Sequence, residues 1–305
     1  MSFNLYFAGS QAKQVDEYIK KVGGARLFSF ADKSKKGFDD FRLNAPNSKL
    51  FMDSGAFSVF HSGAVINIDE HLQFINDTDG VEVWAQLDDI PYPVLNAQTA
   101  KDSSEGSWDK YLYGMSKLKE ERKDHFIPIY HYGEPYEALE RMLNTEVDGR
   151  LAPYIGIGGR HGVSTTAHAR YFDHIFNLIK KSKNPNVKVH AFGMTVLSLL
   201  EQYPFHSADS TTWLMLGVNG NIQTRSAGTV LVSSRQKGDK NNICHYPPHL
   251  KAKIQEELDE LGYTIEEVAS DYKKRLIFNV KYFKDWADNY EYKPVKYTTR
   301  KKRLF

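Results

Sequence analysis

Short runs of apolar, aromatic and β-branched residues recur along the chain, each bounded by Gly, Pro, Asp or Ser, which is typical of buried strands. Between them, apolar residues recur at helical spacing, as in 11–23, 108–122 and 165–182. This alternation predicts an α/β fold with a parallel sheet, and the closed arrangement at this length is a (β/α)8 TIM barrel. An open doubly wound sheet is the alternative. The eight predicted strands cover residues 4–8, 25–30, 49–55, 81–88, 126–131, 153–159, 187–193 and 205–210.

The pattern changes after Ser210. The stretch "NIQTRSAGTVLVSSRQKG" predicts a hairpin or an insertion, and two helices follow it. The last helix, over about 264–288, begins with Thr264 and Glu267, whose spacing lets a hydroxyl and a carboxylate satisfy free helix N–H groups. We therefore expect a barrel core over 1–215 and a C-terminal helical extension over 216–305, in which the hairpin, the helices and a basic tail pack on the barrel.

Composition and charge narrow the class of protein only slightly. With 305 residues, 41% of them hydrophobic, the chain can bury a full core, and a formal net charge of +2 does not by itself indicate a nucleic-acid partner. The tail from Lys293 onward holds six Lys or Arg residues and no acid, which favours contact with a polyanion. A single cysteine, Cys244, excludes an internal disulfide and fits a reducing compartment. Because no signal peptide and no run of ~20 apolar residues is found, we expect a cytoplasmic protein without a membrane span.

Polar residues stand at the predicted strand ends, where barrel enzymes carry their catalytic groups. Any one aspartate there could simply cap the next helix, but carboxylates delivered by three strands to one face indicate a bound cation, shared protons or a polar substrate. A Mg²⁺-dependent enzyme that uses Asp53, Asp88 and Asp89 is one interpretation that stays open. The polar and glycine residues at these ends are Asp53, Asp88, Asp89, His131, Gly158, Gly159, His190 and Asp209.

Two other chemistries are disfavoured. A zinc site of Cys244, His245 and His249 would have one thiolate, and Pro247 and Pro248 interrupt any helix that would align the histidines. No G-x-S-x-G motif is present, so an acyl-serine hydrolase would lack its nucleophile. The glycine-rich stretch "YIGIGGRHG" could cradle a phosphate, but it lacks the Lys-Ser/Thr pair of a P-loop.

Five motifs resemble, in order and at suitable spacing, those of the tRNA-guanine transglycosylase superfamily. They are "FMDSGAFSVF", "AQLDDIPYP", "YIGIGG", "HAFGMT" and "HSADSTTW", and the resemblance covers roughly residues 49–213. The first two are the most specific, because their residue combinations rarely recur together by chance. The resemblance implies a pentosyltransferase that exchanges a guanine base through a covalent glycosyl-enzyme.

The resemblance also implies a role for each matching residue. Asp209 would be the nucleophile, and a carboxylate suits this role because it is anionic at neutral pH and stabilises an oxocarbenium-like centre. Asp53 would handle the proton of the incoming base, and Asp88, or less readily Asp89, would read the Watson–Crick edge of guanine. Phe57 would stack on the base, with Phe192 or Met194 on its other face. The remaining substrate-binding residues would be Ser54, Gly55, His131, Gly158, Gly159, His190 and Gly193.

The chain departs from the tRNA enzymes in one respect. They carry a zinc subdomain of three cysteines and one histidine after the nucleophile strand, whereas this chain has one cysteine. A compact, zinc-free chain is more similar to the transglycosylases of bacteriophages and bacterial modification clusters that place 7-deazaguanine bases in DNA. We therefore expect DNA and a free 7-deazaguanine such as preQ0 as partners, with no metal and no cofactor.

Two alternative functions stay open beside DNA base exchange. One is a tRNA transglycosylase that has dispensed with zinc. The other is a barrel that binds nucleic acid or a nucleobase without exchanging it, or that hydrolyses the glycosidic bond. In the nucleic-acid readings, basic residues would hold phosphates and make binding sensitive to salt. These basic residues are Arg160, Arg225, Arg235, Arg300, Lys301, Lys302 and Arg303.

Overall fold

The computed structural model describes residues 3–9, 12–31, 35–56, 65–91, 96–160, 162–194 and 196–294. The strands are β1 (Asn4–Ala8), β2 (Ala25–Ser29), β3 (Leu50–Asp53), β4 (Val83–Ala85), β5 (Phe126–Ile127), β6 (Ile129–His131), β7 (Tyr154–Gly158), β8 (Lys188–Phe192), β9 (Ser207–Ser210), β10 (Asn221–Thr224) and β11 (Gly228–Leu231). The helices are α1 (Lys13–Lys21), α2 (Lys35–Asn44), α3 (Ile68–Asp77), α4 (Ala97–Lys117), α5 (Glu120–Lys123), α6 (Tyr136–Asn144), α7 (Thr165–Lys181), α8 (Leu197–Gln202), α9 (Thr212–Val218), α10 (Pro248–Asp259), α11 (Ile265–Ser270) and α12 (Tyr272–Asp288).

The parallel strands form a nearly closed barrel. Their order is β5-β4-β3-β2-β1-β9-β8-β7-β6, and the two edge strands are separated in the chain only by Pro128. Proline lacks an N–H, so the ladder is interrupted there, but the Pro128 carbonyl still accepts a hydrogen bond from the Gly156 N–H at 2.8 Å. Within the described ranges, β5 and β6 thus act as one strand, and nine strands occupy eight barrel positions. The predicted TIM barrel and its eight strands are confirmed, and the open sheet is not observed.

The side chains of the barrel strands alternate between two faces. Tyr6, Leu27 and Phe51 belong to a cluster that fills the barrel interior. Their strand neighbours Phe7 and Met52 belong instead to the larger core between the strands and the surrounding helices. This period of two decides which polar side chains near the strand ends point into the barrel.

Gly156 provides a test of the interior packing. A Cβ at this position would lie 2.4 Å from Cε2 of Phe192, so the aromatic ring occupies the space that a side chain would need. We expect Gly156→Ala to lower the free energy of unfolding by about 1–3 kcal/mol, because an added methyl overpacks the core. Urea unfolding would measure this loss. Gly238→Ala is the matched control, since no atom lies within 4 Å of its added Cβ. Equal unfolding midpoints in the two variants would show that Phe192 does not fill the interior.

A capping residue sets the start of α4. The periodicity predicted a helix over 108–122, but the helix begins at Ala97. The Asn96 side chain accepts from the Thr99 N–H at 2.9 Å, and Thr99 Oγ1 accepts from the Asn96 N–H at 3.0 Å. This reciprocal pair satisfies the backbone N–H groups of Asn96 and Thr99, so the helix begins at Ala97.

The C-terminal helix prediction is half correct. Thr264 and Glu267 form the expected reciprocal cap. A single helix over 264–288 is wrong, however, because Asp271 adopts an extended conformation between α11 and α12. Its side chain accepts from the Lys273 N–H at 2.8 Å and so starts a new helix.

The segment after the barrel packs on it through α12. The predicted hairpin is present, with β10 and β11 antiparallel, and it shares a small core with α10 and α11. α12 contacts α9 and α1, and near its end Tyr290 stacks on Phe3 with ring centroids 4.6 Å apart. α9 runs across residues 215 and 216, so the division of the chain there stays a prediction. In the described part of the chain, no helix has the length and apolar character needed to cross a membrane.

Candidate active site

The strand alternation gathers polar side chains at the carboxyl end of the barrel. Asp53 ends β3 two residues after the interior residue Phe51, and His131 ends β6 two residues after the interior residue Ile129. Asp209 lies near the end of β9. These side chains therefore lie on the face where barrel enzymes carry their catalytic groups.

Asp209 is held by one of its two carboxylate oxygens. Its Oδ1 accepts from the Gly193 N–H at 2.9 Å and contacts Nε2 of His190 at 3.2 Å. Gly193 has φ = 63°, a left-handed conformation that glycine adopts without strain and that turns its N–H toward Asp209. Within the described residues, Oδ2 has no hydrogen-bond partner, and the residue is 8% exposed. One oxygen of the carboxylate is thus fixed, and no residue that the structure describes bonds to the other.

Asp53 titrates close to neutrality. Burial and then the negative charge of Asp88 raise the pKa of Asp53 to about 7, with a smaller contribution from Asp209. The Gly55 N–H, which donates to Asp53 Oδ2 at 2.9 Å, opposes part of this rise. Such a carboxyl can give and take a proton at physiological pH.

Asp88 lies between a hydroxyl and a histidine. Ser54 Oγ donates to its Oδ1 at 3.1 Å, and His131 Nε2 lies 2.6 Å from its Oδ2. Burial alone would lower the pKa of His131, but the hydrogen bond and charge of Asp88, with Glu134 and Asp53, outweigh burial and raise it. The contact with Asp88 thus favours the protonated form of His131 and holds the Asp88 carboxylate in place.

Glu134 holds His131 in place through a hydrogen bond to its backbone. Its Oε2 accepts from the His131 backbone N–H at 2.9 Å, and its Oε1 accepts from Ser103 Oγ at 2.9 Å. Burial raises the pKa of Glu134, against the opposing charge of His131. Gly158 is needed on the other side, because a Cβ there would lie 2.5 Å from His131 Nδ1.

The contact between Asp88 and His131 predicts a titration shift. We expect Asp88→Asn to move the pKa of His131 from above about 6.5, the ordinary value, to below it, because burial then dominates. An NMR titration of the His131 ring protons would measure the change. The same substitution at the neighbouring residue, Asp89→Asn, should leave the pKa of His131 unchanged. A pKa of His131 that stayed above its ordinary value in Asp88→Asn would contradict the assignment.

Asp89 does not join the other carboxylates. It turns toward α4, where Lys110 Nζ lies 2.5 Å from its Oδ1 and Ser107 Oγ lies 2.8 Å from its backbone nitrogen. Asp89 therefore ties the end of β4 to α4, and its contact with a substrate, the less favoured alternative to that of Asp88, stays a prediction. Because Asp89 turns toward α4, its partners differ from those of Asp88, with which the magnesium interpretation would combine it. No group of three potential metal ligands is found among the described residues.

The residues expected to enclose a base are spread over different environments. Phe192 lies in the interior, with its ring centroid 4.5 Å from that of His190. Met194 is buried and belongs to the outer core, and its expected contact with a base stays a prediction. Gly159 is exposed beside Met194. Phe57 lies outside the described residues.

The basic residues also differ in their surroundings. Arg225 forms ion pairs with Glu257, Glu260 and Asp285 within the C-terminal segment. Its expected contact with phosphate stays a prediction. Arg160 and Arg235 are exposed. The tail residues Arg300, Lys301, Lys302 and Arg303 lie outside the described residues.

Three buried residues of the site were not predicted from the sequence. Ser207 and Tyr154 contact each other and reach His190, and Glu134 supports His131. Ser207 carried a usable signal, because it stands two residues before Asp209 on the same strand and so points to the same face. Tyr154 and Glu134 had none, since their partners are far away in sequence. No protein-family model matches the chain, and no curated protein is significantly similar to it.

Proposed function

We propose that the protein is a DNA-guanine transglycosylase that replaces guanine in DNA with a 7-deazaguanine such as preQ0. The observation that carries the proposal is the set of three carboxylates at one end of the barrel, each in a different state. Asp209 is anchored by one oxygen, Asp53 has a pKa of about 7, and Asp88 is bonded to a histidine whose pKa is raised. Nucleophile, proton carrier and base reader are the three roles that base exchange requires.

The first half of the reaction breaks the bond between guanine N9 and the sugar. The open oxygen of Asp209 bonds to the anomeric carbon, and the electron pair of the broken bond goes to the base. Asp53, protonated at the start, donates its proton, so neutral guanine leaves and Asp53 becomes ionised. The products are a covalent glycosyl-enzyme and free guanine.

The second half runs in the opposite direction with a different base. A 7-deazaguanine enters, its N9 bonds to the anomeric carbon, and the Asp209 oxygen leaves with its electron pair. The N9 proton passes to Asp53, which restores the starting enzyme. Two inversions give net retention at the sugar, and the proton count closes over one turnover.

Asp88 suits recognition of the base. An ionised carboxylate is an acceptor only, and the Watson–Crick edge of guanine and of 7-deazaguanines offers two donors, N1–H and the 2-amino group. Adenine has an unprotonated N1 where guanine has N1–H, so the lone pair of that nitrogen would face the carboxylate in a buried site, which is costly. The charge of Asp88 thus favours guanine-type bases.

DNA is favoured over tRNA because the single cysteine cannot supply the zinc subdomain of the tRNA enzymes. The target nucleotide would rotate out of the stack, because the sugar carbon is out of reach inside a duplex. A cytoplasmic location would bring the enzyme to its nucleic acid. Salt-sensitive binding is expected from the exposed Arg160 and Arg235.

The test is incubation of the purified protein with guanine-containing DNA, or separately with tRNA, plus preQ0, followed by mass spectrometry of the nucleosides. A modified deoxynucleoside supports the proposal. A modified ribonucleoside would transfer the activity to tRNA. Release of guanine without an acceptor base would indicate a glycosidic-bond hydrolase instead.

A further inference from the structure

A chain of hydrogen bonds runs through the barrel interior to Asp209. Tyr154 on β7 contacts Ser207 Oγ, and Ser207 Oγ contacts Nδ1 of His190 on β8. His190 Nε2 then reaches Asp209 Oδ1 at 3.2 Å. The parallel register places His190 directly beside Ser207, and both are fully buried.

The hydrogens of this chain can be assigned from chemistry. Burial lowers the pKa of His190, and the hydrogen bond to Asp209 offsets part of this, so the ring is neutral at physiological pH. A neutral imidazole has one donor and one acceptor. The carboxylate oxygen of Asp209 accepts, so Nε2 carries the hydrogen and Nδ1 accepts from the Ser207 hydroxyl.

The donor in the hydrogen bond between Tyr154 and Ser207 can be assigned by the same reasoning. Since the Ser207 hydroxyl donates to Nδ1, its oxygen accepts from the Tyr154 hydroxyl. Burial raises the pKa of Tyr154 far above its ordinary value, so this phenol remains a donor. The opposite arrangement would leave a lone pair of His190 facing the carboxylate of Asp209.

The surroundings protect the arrangement from water. The ring centroids of Phe51 and Phe192 lie 4.5 Å from that of His190, and that of Tyr6 lies at 6.0 Å. With water excluded, the tautomer of His190 depends on Asp209 at Nε2 together with Ser207 at Nδ1.

We propose that Tyr154, Ser207 and His190 form a positioning relay that holds His190 as its Nε2–H tautomer, so that its donor fixes Oδ1 of Asp209 and directs Oδ2 toward the sugar. This inference rests on the proposed function for the role of Asp209. In this proposal the three residues act through Asp209 and are positioning residues.

The first experiment reads the tautomer directly and does not need activity. In protein labelled with ¹⁵N at histidine, the ring nitrogens of His190 are assigned by their absence from His190→Gln. The Nε2–H form is expected in the wild-type protein at neutral pH, and a mixture of the two forms is expected in Ser207→Ala. An Nδ1–H form or a charged ring in the wild-type protein would overturn the proposal.

The second experiment measures the rate of glycosyl-enzyme formation with guanine-containing DNA. Ser207→Ala is expected to lower the single-turnover rate by about 10- to 100-fold without changing the affinity for DNA. Tyr154→Phe, which leaves the Ser207 hydroxyl in place, should cost only a few-fold. A rate within twofold of wild type in Ser207→Ala, or an effect confined to DNA affinity, overturns the relay.

A matched pair at position 190 separates positioning from packing. The amide nitrogen of His190→Gln can lie where Nε2 lies, whereas that of His190→Asn is too short to reach Asp209. Glutamine should therefore retain more activity than asparagine, with both variants folded by circular dichroism, and equal activities would contradict the relay. If Ser207→Ala does not fold, the tautomer of the wild-type protein and the comparison of His190→Gln with His190→Asn test the relay instead. An Nε2–H tautomer without base exchange on any nucleic acid would refute the proposed function and leave the tautomer assignment standing.

Discussion

Asp209→Asn is expected to slow base exchange by about 10³- to 10⁴-fold while the affinity for DNA stays within about twofold. The asparagine side chain can still accept from the Gly193 N–H and from His190 through its oxygen, so the local structure is retained. Its nitrogen, which takes the place of the open oxygen Oδ2, is not a nucleophile. Loss of the reaction would then report the chemistry and not the fold.

The measurement is incorporation of preQ0 into DNA, together with a denaturing gel that detects the covalent protein–DNA adduct. Asp89→Asn is the matched control, because it is the same substitution in a neighbouring strand-end aspartate that pairs with Lys110. The control should keep near wild-type activity and form the adduct. Exchange that survives in Asp209→Asn would place the nucleophile elsewhere, and unchanged nucleic-acid binding with no activity in the wild-type protein would favour a binding module.

Asp53→Asn is expected to lower the exchange rate by about 10²- to 10⁴-fold, the range typical of a general acid–base group. In the wild-type protein, the two half-reactions should depend on pH in opposite directions. Displacement of guanine needs protonated Asp53, so its rate should fall as the pH rises through about 7. Attack by the incoming base needs ionised Asp53, so its rate should rise through the same value.

Single-turnover measurements separate the two steps. Formation of the adduct is followed without added base, and its decay is followed after addition of preQ0. In Asp53→Asn both profiles should be flat around neutral pH. Two half-reactions with the same pH dependence in the wild-type protein would contradict a single proton carrier.

The raised pKa of Asp53 also determines the direction in which the stability of the fold changes with pH. Between about 3.9, the value in an unfolded chain, and about 7, the folded protein holds a proton that the unfolded chain has released. Stability therefore falls as the pH rises through this window. The Asp53→Asn variant lacks this loss and should exceed the wild type in stability by up to about 4 kcal/mol at about pH 8. Urea unfolding at several pH values would show whether the difference shrinks toward pH 4, as this sign requires.

The fold was readable from the sequence because its signals are local. Period-two alternation and the bounding Gly, Pro, Asp and Ser residues mark each strand, and all eight predicted strands are present. Alternation also places Asp53, His131 and Asp209 on one end of the barrel. The start of α4 was missed because Asn96 and Thr99, and not apolar spacing, determine it.

The sequence could not show which of two neighbouring aspartates faces the other polar residues of the site. Asp88 and Asp89 are neighbours with identical chemistry, yet Asp88 faces Ser54 and His131 while Asp89 pairs with Lys110. The difference depends on how α4 packs against the end of β4. The ion pairs of Arg225 depend on tertiary packing in the same way, since their acids lie in α10, at its C-terminal cap and in α12.

The order of strands and helices, and the end of the barrel that carries the carboxylates, follow from the pattern of amino acids along the chain. The state of each carboxylate depends on contacts between residues that are distant in sequence. Ser207 and Tyr154 are 53 residues apart, and His190 and Asp209 are 19 apart, and their contacts exist because the barrel closes with one register. Burial and the distance between charges set the pKa values, and both are properties of the closed barrel that no local pattern contains.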